Sequence, residues 1–93
     1  SFVSLRIAAE PALLLAAPGA SCVLLVKPQF EVGRSGIGKG GLVTDETLIE
    51  DTLSAIKQWF SGLPGWRCTH FLPSPIKGGD GNREYLLCGV RDG

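Results

Sequence analysis

Apolar positions fall into separate blocks along this chain, and each block has its own periodicity. Leu5–Ala17 has helical composition, and Pro18-Gly19 brings it to an end. Pro11 lies inside it and is expected to kink or divide the helix, because proline removes a hydrogen bond and presses on the preceding turn. Cys22–Val26 is apolar at every position, the pattern of a central strand covered on both faces. Asp45 is placed to cap a second helix reaching about Ser61. Leu48, Ile49, Leu53, Ile56 and Phe60 mark one face of it, and Glu46, Glu50, Asp51 and Lys57 the other. Its early acids suit the positive end of the helix dipole, and Gly62, Pro64 and Gly65 terminate it.

Two further strands are expected, Trp66–Phe71 with the alternation of an edge strand and Tyr85–Val90 with the apolar run of a central one. Ser1–Ser4 resembles the end of a strand or its exit. The order helix, strand, helix, strand, strand predicts the closing half of a doubly wound α/β sheet ending in an antiparallel strand pair. Two segments stay irregular, the glycine-dense Pro28–Val43 and the Pro- and Gly-rich connection Leu72–Asn82. Tight hairpins need only about two to five loop residues, so loops of this length inside a small domain point to function.

Composition narrows the picture. With 93 residues there is one small domain. Charged residues are 19% of the chain, below the roughly 25% of ordinary soluble domains, and mean hydropathy is +0.20. So apolar a surface predicts a missing neighbour or self-association. The absence of methionine implies that Ser1 is not a translational start. Net charge is zero, so no global field draws in nucleic acid or an anionic membrane. Lys27, Arg34, Lys39, Lys77 and Arg83, however, lie in or beside the Gly/Pro-rich segments and are candidates for a local basic rim. Cys22, Cys68 and Cys88 lack zinc-ligand or thioredoxin-like spacing. Buried, reduced thiols in a cytoplasmic protein without a metal are therefore expected. The apolar runs fall far short of the ~20 residues of a membrane span.

Lys27 leaves the apolar strand at its carboxyl end, where open α/β sheets bind ligands. If the last strand runs antiparallel beside the first, Glu84 opens it at the same edge, and a lysine and a carboxylate share one cleft. A surface ion pair is the alternative. Gly33–Gly40 nearly spells a phosphate-binding P-loop, but Gly40 replaces the final Ser/Thr and no helix is expected at Lys39. His70 lies in a strand with no ligand partner nearby and is assigned a structural role.

Several motifs carry a resemblance. Leu25–Gly33 reads LVKPQFEVG; Gly38-Lys39-Gly40-Gly41 is followed by Val43 and Asp45; Pro73–Gly78 reads PSPIKG; and Gly81–Leu87 reads GNREYLL. With Ser1-Phe2-Val3-Ser4-Leu5 ahead of them, these resemble, in order and over nearly the whole chain, the FtsJ-like RNA ribose methyltransferases of TlyA (haemolysin A) type. The resemblance implies the C-terminal half of a Rossmann-like, FtsJ-type methyltransferase sheet. It also implies S-adenosylmethionine as cofactor and ribosomal RNA as partner. The family surrounds the target ribose with a Lys–Asp–Lys–Glu tetrad. By motif position Lys27 matches the second lysine and Glu84 the glutamate. The first lysine, the aspartate, the glycine-rich cofactor turn and the S4-like RNA-binding region all belong to segments upstream of Ser1. A chain holding half a tetrad is expected to be inactive in isolation, to need its N-terminal half and to self-associate. Arg34, Lys39, Lys77 and Arg83 are expected to hold RNA phosphates. Phe30 is expected either in the core or stacked on a base or adenine.

Overall fold

The computed structural model describes residues 4–33, 36–79 and 81–92. Its elements are α1 (Leu5–Leu15), β1 (Ser21–Val26), the one-turn helix α2 (Pro28–Glu31), a 3-10 turn at Lys39–Gly41, α3 (Glu46–Ser61), β2 (Trp66–Pro73) and β3 (Tyr85–Arg91). The expected order of major elements holds. Residues 1–3 of the expected strand exit lie outside the described residues.

Local chemistry accounts for most element ends. Asp45 accepts a hydrogen bond from the Leu48 amide at 3.1 Å, so α3 begins where its cap predicts. α1 runs unbroken through Pro11, whose ring lies on the exposed side, and stops at Leu15, where Ala16 turns extended. The proline thus neither divides the helix nor forces its end. The unexpected element is α2. Proline at its first position needs no donor and presets the helical φ, so Pro28 opens a turn inside a segment expected to be irregular.

The sheet order is β1-β3-β2, with both pairings antiparallel. β3 is central and β2 is an edge strand, as expected, with a register shift between Cys68 and His70. β1 departs from expectation. It lies at the other edge, and its faces differ: Val26 is fully buried and Cys22 and Leu24 pack on the core, while Val23 is 67% and Leu25 44% exposed. An unbroken apolar run reports covering on two faces only when both layers are present, and among the described residues one layer is present.

That layer is α1 with α3. Ile56 and Phe60 from α3 close on Val26 and Leu87, joined by Leu13, Leu63 and Trp66. Each such side chain contributes about 1.5–3 kcal/mol on burial. The Trp66 indole donates to the Leu13 carbonyl at 2.8 Å inside the core, and the Trp59 indole donates to Glu10 Oε1 at 2.7 Å. These bonds bind the end of α1 to β2 and its middle to α3.

Candidate active site

The β1–β3 ladder ends on the pair Val26↔Tyr85. Extending the register by one residue sets Lys27 opposite Glu84, at the carboxyl end of β1. Side chains alternate along a strand, so this pair belongs to the face of Leu25 and Leu86, away from α3. Directly opposed residues in an antiparallel pair carry Cβ atoms about 4.5–5.5 Å apart. The register thus brings Lys27 and Glu84, 57 positions apart in sequence (84 − 27), to one sheet edge without an ion pair between them.

Lys27 is half-buried and serves as the residue before α2, with its carbonyl accepting from the Phe30 amide at 2.9 Å. Its Nζ stands 5.2 Å from the centroid of the Phe30 ring. A ring face attracts a cation by about 0.5–1 kcal/mol at exposed sites, enough to direct a flexible amine. Phe30 is half-buried and acts as this platform, which neither sequence alternative anticipated. Glu84 is only 8% exposed, and its backbone carbonyl accepts from Ser74 N at 2.7 Å, which closes the mouth of the β2–β3 connection. A hollow of about 260 Å³ adjoins Lys27, lined by Leu5, Ala8, Leu25, Phe30 and Glu31; Glu84 is not part of its wall. Both Glu31 oxygens are engaged there, Oε1 by the Ser4 hydroxyl at 2.8 Å and Oε2 by the Leu5 amide at 2.7 Å.

Asn82 has a part that sequence reading missed. It is 5% exposed; its Oδ1 accepts from Val43 N and its Nδ2 donates to the Gly41 carbonyl, both at 2.9 Å. Its own carbonyl accepts from Gly78 N at 2.9 Å. One side chain thus ties the end of the glycine-rich loop to the β2–β3 connection, two residues before Glu84. An asparagine after Gly81 was the available signal, but only the fold shows that it is buried and which backbone it meets.

The residues expected to form a basic rim lie on separate segments. Lys77 is exposed on the β2–β3 connection. Arg83 is exposed but lines a hollow with Glu46 and Glu50, so α3 carboxylates lie near it as an alternative to RNA phosphate. Lys39 begins the 3-10 turn, and Arg34 lies outside the described residues. The lysine of the P-loop-like stretch thus opens a three-residue turn, whereas α3 starts only at Glu46. A phosphate cradle needs the helix N-terminus at that lysine. The cysteines are free and half-buried, less covered than expected, and burial pushes the Cys22 thiol up. His70 is exposed beside Thr69 Oγ1 at 3.2 Å.

The described residues do not make a seat for S-adenosylmethionine. None of their strands passes through a glycine turn into a helix. The hollow at Lys27 is mainly apolar, smaller than usual cofactor pockets of about 300–1,000 Å³, and its one carboxylate is already committed to α1. What the chain does present is Lys27 at the carboxyl end of β1, with Glu84 just ahead of β3.

Comparison with known proteins shows the family. The FtsJ-like methyltransferase family matches residues 1–91. The chain is 46% identical to Bacillus subtilis YqxC, whose name assigns it to rRNA methylation, across 94% of this chain and 31% of that protein. It is 39% identical to the 16S/23S rRNA (cytidine-2′-O)-methyltransferase TlyA of Mycobacterium tuberculosis, across 94% of this chain and 32% of that protein. A crystal structure of a Lactococcus lactis protein named as a hemolysin superposes with a TM-score of 0.89 at 33% identity, over all of this chain and 44% of the other. The chain thus spans about a third of the length of these sequence relatives. Among the described residues no helix is long and apolar enough to cross a membrane.

Proposed function

The chain belongs to the FtsJ-like methyltransferase family, and from that premise we propose that it is the C-terminal part of an S-adenosylmethionine-dependent enzyme methylating a ribose 2′-hydroxyl of ribosomal RNA. The observation that carries this reading is the β1–β3 register, which brings Lys27 and Glu84 to one sheet edge. The methyl donor belongs to the part of the longer protein outside this chain, and the residues here serve the hydroxyl side. Lys27 takes the hydroxyl proton. Glu84 orients it and balances the resulting ammonium. General-base help of this kind supplies about 10²–10⁴-fold. Holding the hydroxyl in line supplies up to roughly 7–11 kcal/mol. Arg34, Lys39, Lys77 and Arg83 hold RNA phosphates, with Arg83 first leaving its acidic neighbours. The enzyme works in the cytoplasm without a metal, and this chain alone is inactive.

The test is methyl transfer to ribosomal subunits by the longer protein that carries this chain. Lys27→Ala is expected to abolish transfer while cofactor binding persists; near-normal turnover removes the lysine from the mechanism. Calorimetric titration of the 93-residue chain with S-adenosylmethionine and with ATP is expected to show no binding to either. Tight ATP binding would instead favour the P-loop reading.

A second reading, a non-catalytic segment that binds RNA or itself, draws on the open β1 edge and on exposed Val23 and Leu25.

A further inference from the structure

We infer that Glu31 is a positioning residue for Lys27, a carboxylate that clamps the turn carrying the lysine to the N-terminus of α1. α1 has no cap of its own: Ser4 makes no capping bond within the helix, and no acid lies in the first turn. The four leading amides of a helix need partners and carry its positive dipole end. Glu31 fills that role from outside the helix, taking the Leu5 amide at 2.7 Å on one oxygen and the Ser4 hydroxyl at 2.8 Å on the other. The two ends of this clamp are 26 and 27 residues apart in sequence, so it joins elements that no local signal connects.

The consequence for Lys27 follows from the shortness of α2. Lys27, Phe30 and Glu31 share a single turn, closed by Phe30 N to the Lys27 carbonyl at 2.9 Å and by Val32 N to the Pro28 carbonyl at 3.1 Å. A helix of four residues has little stability of its own. Fastened through Glu31, it holds the Phe30 ring in place, and the ring in turn holds Lys27 Nζ at 5.2 Å. Released, the turn frays and the amine loses its direction. The hollow beside Lys27 is walled by the same clamp, with Leu5 and Ala8 on one side and Phe30 and Glu31 on the other. This assignment rests on Lys27 being the proton acceptor only for its effect on turnover; the clamp itself does not depend on it.

The test separates the two. The readout is the NMR spectrum of the 93-residue chain. Glu31→Gln keeps both hydrogen bonds, since its amide oxygen accepts from Leu5 and its amino group donates to Ser4 Oγ. Glu31→Ala loses them. The Lys27 ε-methylene protons, ring-shifted by Phe30, are expected to move toward free-lysine values in Glu31→Ala and to stay put in Glu31→Gln, with Phe30→Leu defining the fully released position. A Lys27 signal unchanged in Glu31→Ala overturns the proposal and leaves Glu31 a plain helix cap. Should the alanine variant fail to fold, a Lys27 signal released in Glu31→Gln to the Phe30→Leu position overturns it equally. In the longer protein, Glu31→Ala is expected to lower kcat at least tenfold with KM little changed, and Glu31→Gln to restore most of it. If Lys27→Ala retains turnover, the catalytic reading fails, and the Lys27 resonances still decide the clamp.

Discussion

The ring of Phe60 stands where a side chain on Gly89 would have to be. A Cβ built at Gly89 would lie 2.4 Å from the ring's Cζ and 2.5 Å from Cε2, with the Arg67 carbonyl at 3.0 Å. Gly89 sits on the central strand between Cys22 and Cys68, and Phe60 is fully buried. Glycine in a strand interior costs about 0.5–1 kcal/mol relative to alanine. Here it opens the slot that lets α3 close on the sheet.

Gly89→Ala is therefore expected to destabilise the chain by about 1–3 kcal/mol, the cost of forcing a methyl into a packed core. For a domain of this size that is a fall in Tm of roughly 4–8 °C for each kcal/mol. Thermal unfolding followed by circular dichroism checks it; an unchanged Tm would mean that α3 shifts without penalty.

Asn82→Ala removes both side-chain bonds to the Gly41 carbonyl and the Val43 amide and leaves partly buried backbone groups unmatched. The expected loss is about 1–3 kcal/mol. Limited proteolysis should then cut within residues 36–43 before the rest of the chain. Asn82→Asp keeps only the bond from Val43 and should fall between wild type and alanine.

Among the described residues β1 has an unpaired strand edge, with exposed apolar side chains at Val23 and Leu25 and no lysine or proline within it to guard it. Such edges pair with other chains. Sedimentation is expected to show concentration-dependent association, weakened in Val23→Lys. A wild-type chain that stays strictly monomeric at high concentration would refute this.

The Arg67 guanidinium, hydrogen-bonded to Asp92 at 3.1 Å, holds the Asp92 carboxyl below its ordinary range. A lowered folded-state value means that the pair's contribution is complete above the unfolded carboxyl's range and disappears as pH falls through the folded one. Both side chains are mostly exposed, 60% and 61%, so the contribution is small. Urea unfolding of Asp92→Asn should match wild type closely at neutral pH, and any difference should vanish in acid.

Much of this protein is readable one residue after another. Asp45 with Glu46 and the apolar spacing from Leu48 to Phe60 specify α3 from its cap onward, because caps and helical faces depend on neighbours within four positions. Lys27 and Glu84 could be placed beside apolar strands from the sequence, but their expected roles came only from motifs that resemble a family. Three features were not legible. α2 hides behind a proline that usually ends elements and here begins one. The open face of β1 depends on which layers are present, while the run Cys22–Val26 looks the same in either case. The clamps made by Asn82 and Glu31 join segments 26 to 41 residues apart. A carboxylate or amide declares in sequence only that it needs partners, and the closed chain alone decides which backbone comes within about 3 Å to supply them.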